Sequence, residues 1–302
     1  MAKMSLKNRK MLTFGLVSLT IALVVTFGLY TPYLKAYNLV HPKREPFKRF
    51  PENVGISHYE EIQFTTSDGL KLKGWYIPPQ NGKVIIFLHG LGSDRQELLD
   101  EASLTVAKGY GALLFDMRGC GKSEGTVATL GYSERLDIHA AVDFVHTQAG
   151  ANAPVALFGH SMGSGAALLA AAEIPELRAV IVESAFQSVE DNINEGVKSL
   201  TGLPPFPFAP LIIFFGQREA GVDIKAVRPI DVVAQISPTA LLFIHGDQDD
   251  VVPVRNAYAL YAAAKEPKQL YILPGVNHGG FLQAQPERFP KTILTFLETY
   301  LK

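Results

Sequence analysis

The sequence predicts an α/β fold, a mostly parallel and doubly wound sheet with a short lid insertion, preceded by an N-terminal transmembrane helix. Short apolar runs rich in Val, Ile, Leu and Phe alternate with amphipathic helical patterns over most of the chain. An alternating hairpin pattern lies before the first of these runs, and an uncharged apolar stretch lies near the N-terminus. Because buried strands that alternate with helices pair in parallel, this order predicts a sheet between two helical layers.

Composition excludes several classes of protein. The chain has 302 residues, 47% of them hydrophobic, which is enough for one full-sized domain and an appendage. Its 28 basic and 29 acidic residues give a net charge of −1, so we expect no nucleic acid as a partner. Cys120 is the only cysteine, and no Cys/His cluster has zinc spacing, so we expect neither an intrachain disulfide nor a metal site.

The N-terminal segment predicts a membrane protein. Residues 1–10 form a basic tail, and Met11–Tyr30 carry no charge. A helix needs about 20 apolar residues to cross the hydrocarbon layer, so this stretch is predicted to be a single-pass anchor. The alternatives are a cleaved secretory signal, whose apolar core is usually about 7 to 15 residues long, and a buried core helix. Basic residues lie on both sides of the stretch. The N-terminal cluster is the nearer one, and short basic N-terminal tails commonly stay inside the cell, which favours an external catalytic domain.

The rest of the chain divides into a linker and one α/β domain. Residues 31–58 are rich in Pro, Lys and Arg without a hydrophobic period, which predicts a juxtamembrane linker, either solvated or in contact with anionic headgroups. The domain covers 59–302 and opens with a hairpin around Asp68 and Gly69. The predicted strands that follow are Val84–Leu88, Ala112–Phe115, Val155–Phe158, Val180–Val182, Leu241–Ile244 and Leu270–Leu273. The clearest predicted helices are Glu134–Thr147, Gly163–Ala172, Arg255–Ala264 and Glu287–Tyr300.

One segment departs from this alternation, and we predict residues 186–235 to be a lid inserted between two strands. Within it, Leu203–Phe215 is too rich in proline for a strand or a regular helix and too apolar for a solvated loop. No internal repeat or low-complexity segment is evident elsewhere.

The strongest chemical signal is Gly159-His160-Ser161-Met162-Gly163, which lies between a predicted strand and a helix of small residues. In a G-x-S-x-G turn the glycines make room for a strained backbone that presents the Ser hydroxyl at the carboxyl edge of the sheet. The helix N-terminus then directs its positive dipole end at a developing oxyanion. These flanking elements favour Ser161 as a nucleophile over an ordinary glycine-rich turn.

A serine nucleophile requires a general base and an orienting carboxylate, expected here in the order Ser, then Asp or Glu, then His. His278 follows the last predicted strand and is the candidate base. Five other histidines are interpreted as surface or packing residues, namely His41, His58, His139, His146 and His160. The candidate acid is Asp249, with Asp247 and Asp250 in the same loop as alternatives and Glu183 as a more distant one. Asp247 is otherwise interpreted as a turn residue that accepts hydrogen bonds from local backbone amides.

Two backbone N–H groups are expected to stabilise the oxyanion of a tetrahedral intermediate. One belongs to Met162, directly after the nucleophile, and the other to Leu91, in a glycine-rich loop after an earlier strand. His89, at the start of that loop, is expected to brace it through hydrogen bonds.

A second glycine-rich loop contains Gly-Lys-Ser at Gly121–Ser123, as phosphate-binding loops do. That pattern requires an earlier Gly where this chain has Asp116, and a helix where Glu124 and Gly125 follow. We therefore interpret the loop as a structural turn.

Taken in order, these motifs resemble those of the α/β-hydrolase superfamily over residues 59–302. They are Gly-His-Ser-Met-Gly, His-Gly-Leu-Gly-Ser, Phe-Asp-Met-Arg-Gly-Cys-Gly-Lys-Ser-Glu-Gly, His-Gly-Asp-Gln-Asp-Asp-Val-Val-Pro and Asn-His-Gly-Gly. The anchor, the Arg-Gly-x-Gly-x-Ser loop and Arg228-Pro-Ile-Asp also resemble membrane-anchored hydrolases related to eukaryotic protein depalmitoylases. The resemblance implies hydrolysis of carboxylic esters or thioesters without a cofactor. The segment around His278 departs from it, because many relatives have Gly-His-Asn or Gly-His-Gly there.

We therefore expect a serine hydrolase in which Ser161 attacks an acyl carbonyl, His278 is the general base and Asp249 orients the imidazole. The apolar lid and the anchor suggest a small-molecule or lipid-like ester with an apolar acyl group, taken from the membrane. Two other functions stay open, an inactive membrane-tethered binding module of the same fold and an acyltransferase that uses an alcohol in place of water.

Overall fold

The computed structural model describes residues 5–302, except for the side chains at 199–201, so residues 1–4 of the predicted tail lie outside the described residues. The strands are β1 Glu60–Thr65, β2 Lys71–Ile77, β3 Val84–Leu88, β4 Gly111–Phe115, β5 Val155–His160, β6 Ala179–Glu183, β7 Ala240–Gly246 and β8 Lys268–Leu273. They form one sheet in the order β1-β2-β4-β3-β5-β6-β7-β8. β2 pairs antiparallel with β1 and β4, and every other pair is parallel, which confirms the predicted fold class.

Two apolar cores lie on opposite faces of the sheet. The helices are α1 Leu6–Val25, α2 Thr31–Val40, α3 Leu99–Val106, α4 Glu134–Ala149, α5 Met162–Ala171, α6 Val189–Thr201, α7 Pro205–Ala220, α8 Pro229–Val232, α9 Arg255–Ala263, α10 Phe281–Ala284 and α11 Arg288–Tyr300. Because alternate side chains of a strand point to opposite faces, Ile86 and Leu88 enter one core and Ile85 and Phe87 the other. α4, α5 and α9 contribute to the first core, whereas α3 and α11 contribute to the second.

The segment predicted to be a lid, residues 186–235, contains the two long helices α6 and α7. The prediction that Leu203–Phe215 is too rich in proline for a helix is wrong, because α7 occupies Pro205–Ala220. Phe206 has non-helical backbone angles, so the regular helix begins after it, and Pro210 lies within its first four residues. Pro207, the first residue of the regular helix, needs no partner for an N–H group, and Pro210 lies in the first turn, where it removes only the first hydrogen bond of the helix.

The N-terminal helix is longer than the predicted anchor. α1 begins inside the predicted basic tail, at Leu6, and passes through a π-helical turn at Thr26–Tyr30 directly into α2. The whole run, Leu6–Val40, has 35 residues, and its most apolar part is exposed. At about 1.5 Å per residue it can cross a hydrocarbon layer of about 30 Å and continue beyond it. Its length and composition are those of a membrane span or a signal sequence.

The first part of the predicted linker is instead a helix packed on the domain. Pro32, Ala36 and Val40 are buried and repeat every four residues, a helical period that the mixture of apolar and polar residues between them obscures in the sequence. α2 packs against α7, where the ring of Tyr33 meets that of Phe215 edge-on, with 5.6 Å between centroids.

Two basic residues of the predicted linker are also bound to the domain rather than solvated. Arg44 donates to the carbonyl oxygen of Ser123 at 2.8 Å and to that of Gly125. Arg49 forms a two-bond ion pair with Asp100, the shorter bond being 2.7 Å long. The segment therefore follows a fixed path along the domain surface.

Candidate active site

Ser161 lies at the turn between β5 and α5, as the sequence predicts. Its φ of 51° and ψ of −113° lie in a region that residues other than glycine rarely adopt. A Cβ on Gly159 would overlap the backbone of Gly163, and a Cβ on Gly163 would overlap the carbonyl oxygen of Leu88. Only glycine at both positions lets the turn close against the neighbouring strand and present the hydroxyl.

The structure brings the predicted nucleophile, base and acid into one hydrogen-bonded chain. Oγ of Ser161 lies 2.9 Å from Nε2 of His278, and Nδ1 of His278 lies 2.8 Å from Oδ2 of Asp249. When Nδ1–H donates to the carboxylate, Nε2 is free to accept the proton of the serine hydroxyl. The three residues follow β5, β7 and β8, whose carboxyl ends lie at the same edge of the parallel sheet.

Among the three neighbouring aspartates, Asp249 is the one that contacts the imidazole. Its side chain is buried and accepts the backbone N–H of Val252 at 2.8 Å. Burial alone would raise the pKa of Asp249, but hydrogen bonds from His245, His278 and that amide hold it well below its ordinary value. The carboxylate is therefore charged at neutral pH and able to stabilise an imidazolium.

The alternative acids make other contacts. Asp247 accepts the N–H of Gly275 at 2.7 Å, so it holds the loop that carries the base instead of bonding local amides as expected. Asp250 is exposed. Glu183 is buried below the turn, where its charge interacts with His160, and burial raises its pKa well above the ordinary value.

The two predicted oxyanion donors, Leu91 and Met162, line the same cavity as Ser161. Met162 is the first residue of α5, so its N–H has no acceptor within the helix. Their placement on either side of the nucleophile is compatible with the predicted role, which stays a prediction.

The loop that carries Leu91 is braced as the sequence predicts. Nε2 of His89 accepts the N–H of Met117 at 3.0 Å, and Nδ1–H donates to the carbonyl oxygen of Gly90 at 2.8 Å. In the adjoining glycine-rich loop, the buried carboxylate of Asp116 accepts from the Arg95 guanidinium at 3.0 Å. Asp116 thus has a structural partner, which supports the interpretation of this loop as a structural turn.

Ser161 and His278 open into a cavity of about 470 Å³. This volume is in the range of small-molecule sites, roughly 300 to 1,000 Å³. Much of its lining is apolar and includes Leu91, Leu130, Phe186, Val189, Ile193 and Val251. Over residues 5–302, no three His, Cys, Asp or Glu side chains come together in a way that could hold a metal ion.

A charged pair beside the nucleophile was not predicted. Nε2 of His160 lies 2.9 Å from the backbone carbonyl oxygen of His278, and Nδ1 lies 3.5 Å from the carboxylate of Glu97. Glu97 also accepts the N–H of Gly90. Burial opposes a charged imidazole, but the Glu97 carboxylate outweighs it and raises the pKa of His160 to about 9. The pair connects the loop of the base with the loop of the predicted oxyanion donor.

Two further residues around the acid were also missed. Ser184 donates to Oδ2 of Asp249 at 2.8 Å, and Nε2 of His245 donates to the carbonyl oxygen of Val252 at 2.7 Å. Both lie at carboxyl ends of strands, where functional side chains of a parallel sheet collect, so their position was a usable signal. Glu97 offers no such signal, because it lies in the loop before α3.

Comparison with known proteins identifies relatives of the chain. Residues 79–211 match the family described as serine aminopeptidase, S33. Protein YfhR of Escherichia coli O157:H7 is 31% identical over 229 residues, which are 72% of this chain and 73% of YfhR. The alpha/beta hydrolase domain-containing protein WAV2 of Arabidopsis thaliana is 26% identical over 306 residues, 95% of this chain and 92% of WAV2.

Among solved structures, the Pyrococcus furiosus esterase Pf2001 superposes with a TM-score of 0.72 and 24% identity, covering 86% of this chain and 100% of that one. The likeness to Pf2001 shows the fold, and the likeness to YfhR extends over most of both chains. The protein belongs to the serine aminopeptidase S33 family of α/β hydrolases.

Proposed function

We propose that the protein is a serine esterase that hydrolyses carboxylic esters or thioesters with an apolar acyl group. The observation that carries this proposal is the hydrogen-bonded chain of Ser161, His278 and Asp249 at the wall of an apolar cavity. Membership of a hydrolase family supports hydrolysis, and Pf2001, which shares the fold, is an esterase.

In the proposed reaction, Nε2 of His278 takes the proton of the Ser161 hydroxyl while Oγ attacks the acyl carbonyl. The carbonyl oxygen becomes an oxyanion that accepts hydrogen bonds from the N–H groups of Leu91 and Met162. Loss of one such donor typically lowers the rate by about 10²- to 10³-fold. The tetrahedral intermediate collapses, and the imidazolium gives its proton to the departing alcohol or thiol. Water, activated by the same imidazole, then releases the acid and regenerates Ser161.

The apolar acyl group is inferred from the cavity wall. Side chains such as Phe186, Val189 and Ile193 offer aliphatic and aromatic surface, and burying an acyl chain there is worth about 25 cal/mol per Å². An S-acylated protein would be the thioester form of such a substrate, in keeping with the resemblance to depalmitoylases.

We also propose that α1 is a membrane anchor. The exposed apolar surface of α1 supports this, since such a surface is costly in water. The match with WAV2 covers 95% of the chain, so at least part of the N-terminal helix lies within it. An external position of the catalytic domain stays a prediction from the flanking charges.

Fluorophosphonate labelling tests the nucleophile. We expect the wild-type protein and Ser67→Ala, a control in the exposed β1–β2 turn, to be labelled, and Ser161→Ala to remain unlabelled. Turnover of an ester by Ser161→Ala should fall on the order of 10⁶-fold, because the members of a triad act as a unit. Labelling or turnover that survives in Ser161→Ala would refute the assignment.

Three outcomes separate the alternative functions and test the proposed acyl group. If the wild-type protein is never labelled, an inactive binding module becomes the better explanation. If added alcohol captures the acyl group in preference to water, the enzyme is an acyltransferase. A strict preference for acetyl over octanoyl esters would contradict the proposed apolar acyl group.

A further inference from the structure

Helix α2 contributes to the wall of the active-site cavity. Lys35, Asn38 and Leu39 line the same cavity as Ser161 and His278. These three residues belong neither to the sheet nor to the α6–α7 segment, but to the helix that continues α1 without a break. The part of the chain next to the proposed anchor is therefore also part of the active site.

α2 is held firmly enough to serve as a wall. Ala36 is fully buried in an apolar cluster that includes Ala209 and Ile212 of α7. At the end of α2, the carbonyl oxygen of Val40 accepts the N–H of Ala128 at 2.8 Å. A helix bound at its centre and at its end cannot leave the cavity without breaking these contacts.

The cavity has two differently built sides. Ser161 and His278 come from the carboxyl edge of the sheet, whereas Leu39, Ile193 and Ile212 come from α2, α6 and α7. The helical side is lined mostly by aliphatic side chains, with Asn192 of α6 as a polar residue among them, and Lys35 is the one charged group among the described lining residues of these helices. Lys35 and Asn38 are exposed, so they provide a polar rim beside this apolar surface.

We propose that α2, α6 and α7 form an acyl-chain subsite and that Leu39 of α2 limits the length of the acyl chain. This inference rests on the proposed esterase function and specifies its substrate class, which is a long-chain acyl ester or thioester. Because α2 continues the proposed anchor, the subsite lies next to the lipid phase in which such chains are dissolved. The chain enters along α2 while the carbonyl carbon reaches Ser161.

A single side chain in such a wall has a measurable effect. A difference of one methylene group in an apolar pocket changes specificity about 10- to 200-fold, and extra volume in a packed site displaces its occupant. Leu39→Trp should therefore fill the subsite and exclude long chains, whereas Leu39→Ala should lengthen it. Acetyl esters, which do not extend into the subsite, should be affected much less.

The test uses the full chain in detergent micelles and p-nitrophenyl esters from acetate to palmitate. The variants are Leu39→Trp and Leu39→Ala, with Leu34→Trp and Leu34→Ala as matched controls on the same helix. Leu34 is 41% exposed and is not among the described residues that line the cavity. Far-UV circular dichroism and the thermal midpoint establish that each variant is folded.

We expect Leu39→Trp to lower the ratio of kcat/KM for dodecanoate to that for acetate by about tenfold or more. Leu39→Ala should raise the ratio of palmitate to octanoate, and the Leu34 variants should keep both ratios within about twofold. The subsite is overturned if Leu39→Ala and the folded Leu39→Trp both keep the wild-type ratios. It is also overturned if the Leu34 variants change the ratios as much as the Leu39 variants do. If Leu39→Trp does not fold, the ratio of palmitate to octanoate in Leu39→Ala tests the subsite alone.

Failure of the subsite and failure of the esterase function give different results. If the wild-type protein hydrolyses no ester and Ser161 is not labelled by a fluorophosphonate, the proposed function is wrong and the subsite falls with it. If esters are hydrolysed but the Leu39 variants keep the wild-type ratios, only the subsite is wrong.

Discussion

His278 is fixed from both its ring and its backbone. Nδ1 lies 2.8 Å from Asp249, and the backbone carbonyl oxygen accepts a hydrogen bond from His160 at 2.9 Å. A misplacement of about 1 Å in a reacting group can cost about 10²-fold in rate, so both attachments bear on how well the base meets Ser161.

The choice among the three aspartates can be tested by removing one charge at a time. Asp249→Asn should lower kcat by about 10⁴-fold, because an amide beside Nδ1 favours the wrong imidazole tautomer. Asp250→Asn, at an exposed position of the same loop, should change kcat by no more than about twofold. Steady-state ester hydrolysis measures both, and a greater loss in Asp250→Asn or Asp247→Asn would reassign the acid.

The His160–Glu97 pair predicts a pH dependence of stability. Histidine ordinarily titrates near pH 6.5, and the pKa of folded His160 is raised to about 9. A raised pKa means that the charged form stabilises the fold fully below pH 6.5, and that this stabilisation is lost as the pH rises to 9. The loss is on the order of 3 kcal/mol, and it should be absent in His160→Gln, which cannot be charged.

Fluorescence of Trp75, the only tryptophan and fully buried, reports the unfolding of the domain at each pH. Glu97, Glu101 and Glu183 interact with His160 electrostatically, and the His278 ring lies 5.1 Å away between centroids. Burial raises the pKa of Glu101 from 4.5 to about 7, so its protonated form stabilises the fold at low pH. That stabilisation is mostly lost by the time the pH has risen to 7. The informative measurement is therefore the difference between the wild-type protein and His160→Gln over pH 7 to 9, because both proteins keep Glu183, whose pKa is raised well above its ordinary value. A decline in His160→Gln as steep as in the wild-type protein would exclude His160 as its source.

Individual site residues were predictable where they lie in the loop that follows an apolar strand. Ser161, Asp249 and His278 each lie in such a loop, and the carboxyl ends of parallel strands meet at one edge of the sheet, so the sequence predicts them together. The partnership of His160 with Glu97 depends instead on how the loop after β3 folds back over the end of β5. That contact joins residues far apart in the chain, and no periodic pattern encodes it.

At the scale of elements, the β5–α5 turn has little tolerance for added atoms. Gly163→Ala would bring a methyl group onto the carbonyl oxygen of Leu88, and should destabilise the fold by about 3 kcal/mol or more. Gly216→Ala in α7 is a matched control, because its methyl group meets the flexible end of Ile224 at 3.3 Å and makes an ordinary contact with Cβ of Ala36 at 4.0 Å. Alanine also favours helix, so this variant should be within about 1 kcal/mol of the wild type.

Thermal unfolding followed by Trp75 fluorescence compares the two glycine variants. A Gly163→Ala protein with a wild-type midpoint would show that the turn can widen, and that its close approach to β3 is not required.

Elements were predicted well where apolar runs were uninterrupted and badly where proline or charge obscured them. The core strands β3–β8 were placed within two residues at either end. α7 was rejected because of its prolines, although these lie at the start of the helix and in its first turn, where proline is tolerated best. α2 was missed because apolar and polar residues are mixed between its buried positions, as with Tyr37, Asn38 and Leu39 between Ala36 and Val40, and this hides the helical period.

At the scale of the whole molecule, the anchor and the cavity wall can be separated by truncation. A chain that begins at residue 31 keeps α2, and we expect it to leave the membrane fraction and to hydrolyse short esters. A chain that begins at residue 42 lacks α2 and exposes its apolar partners Ala209 and Ile212. At about 25 cal/mol per Å², the lost burial should lower its stability by a few kcal/mol.

Sedimentation with membranes and Trp75 fluorescence during heating distinguish the two truncated proteins. Continued sedimentation of the chain that begins at residue 31 would place membrane attachment outside α1. Equal midpoints for both truncations would show that α2 contributes nothing to the domain.

The unbroken run from α1 into α2 has a mechanical consequence. The π-helical turn at Thr26–Tyr30 keeps the backbone helical between α1 and α2, so a tilt of α1 is transmitted to α2 through one continuous helix. Helices tilt when their apolar length does not match the thickness of the bilayer. If α1 is the anchor proposed above, a thicker or thinner bilayer would exert torque on the wall that contains Leu39, and the width of the proposed acyl site would be coupled to hydrophobic mismatch.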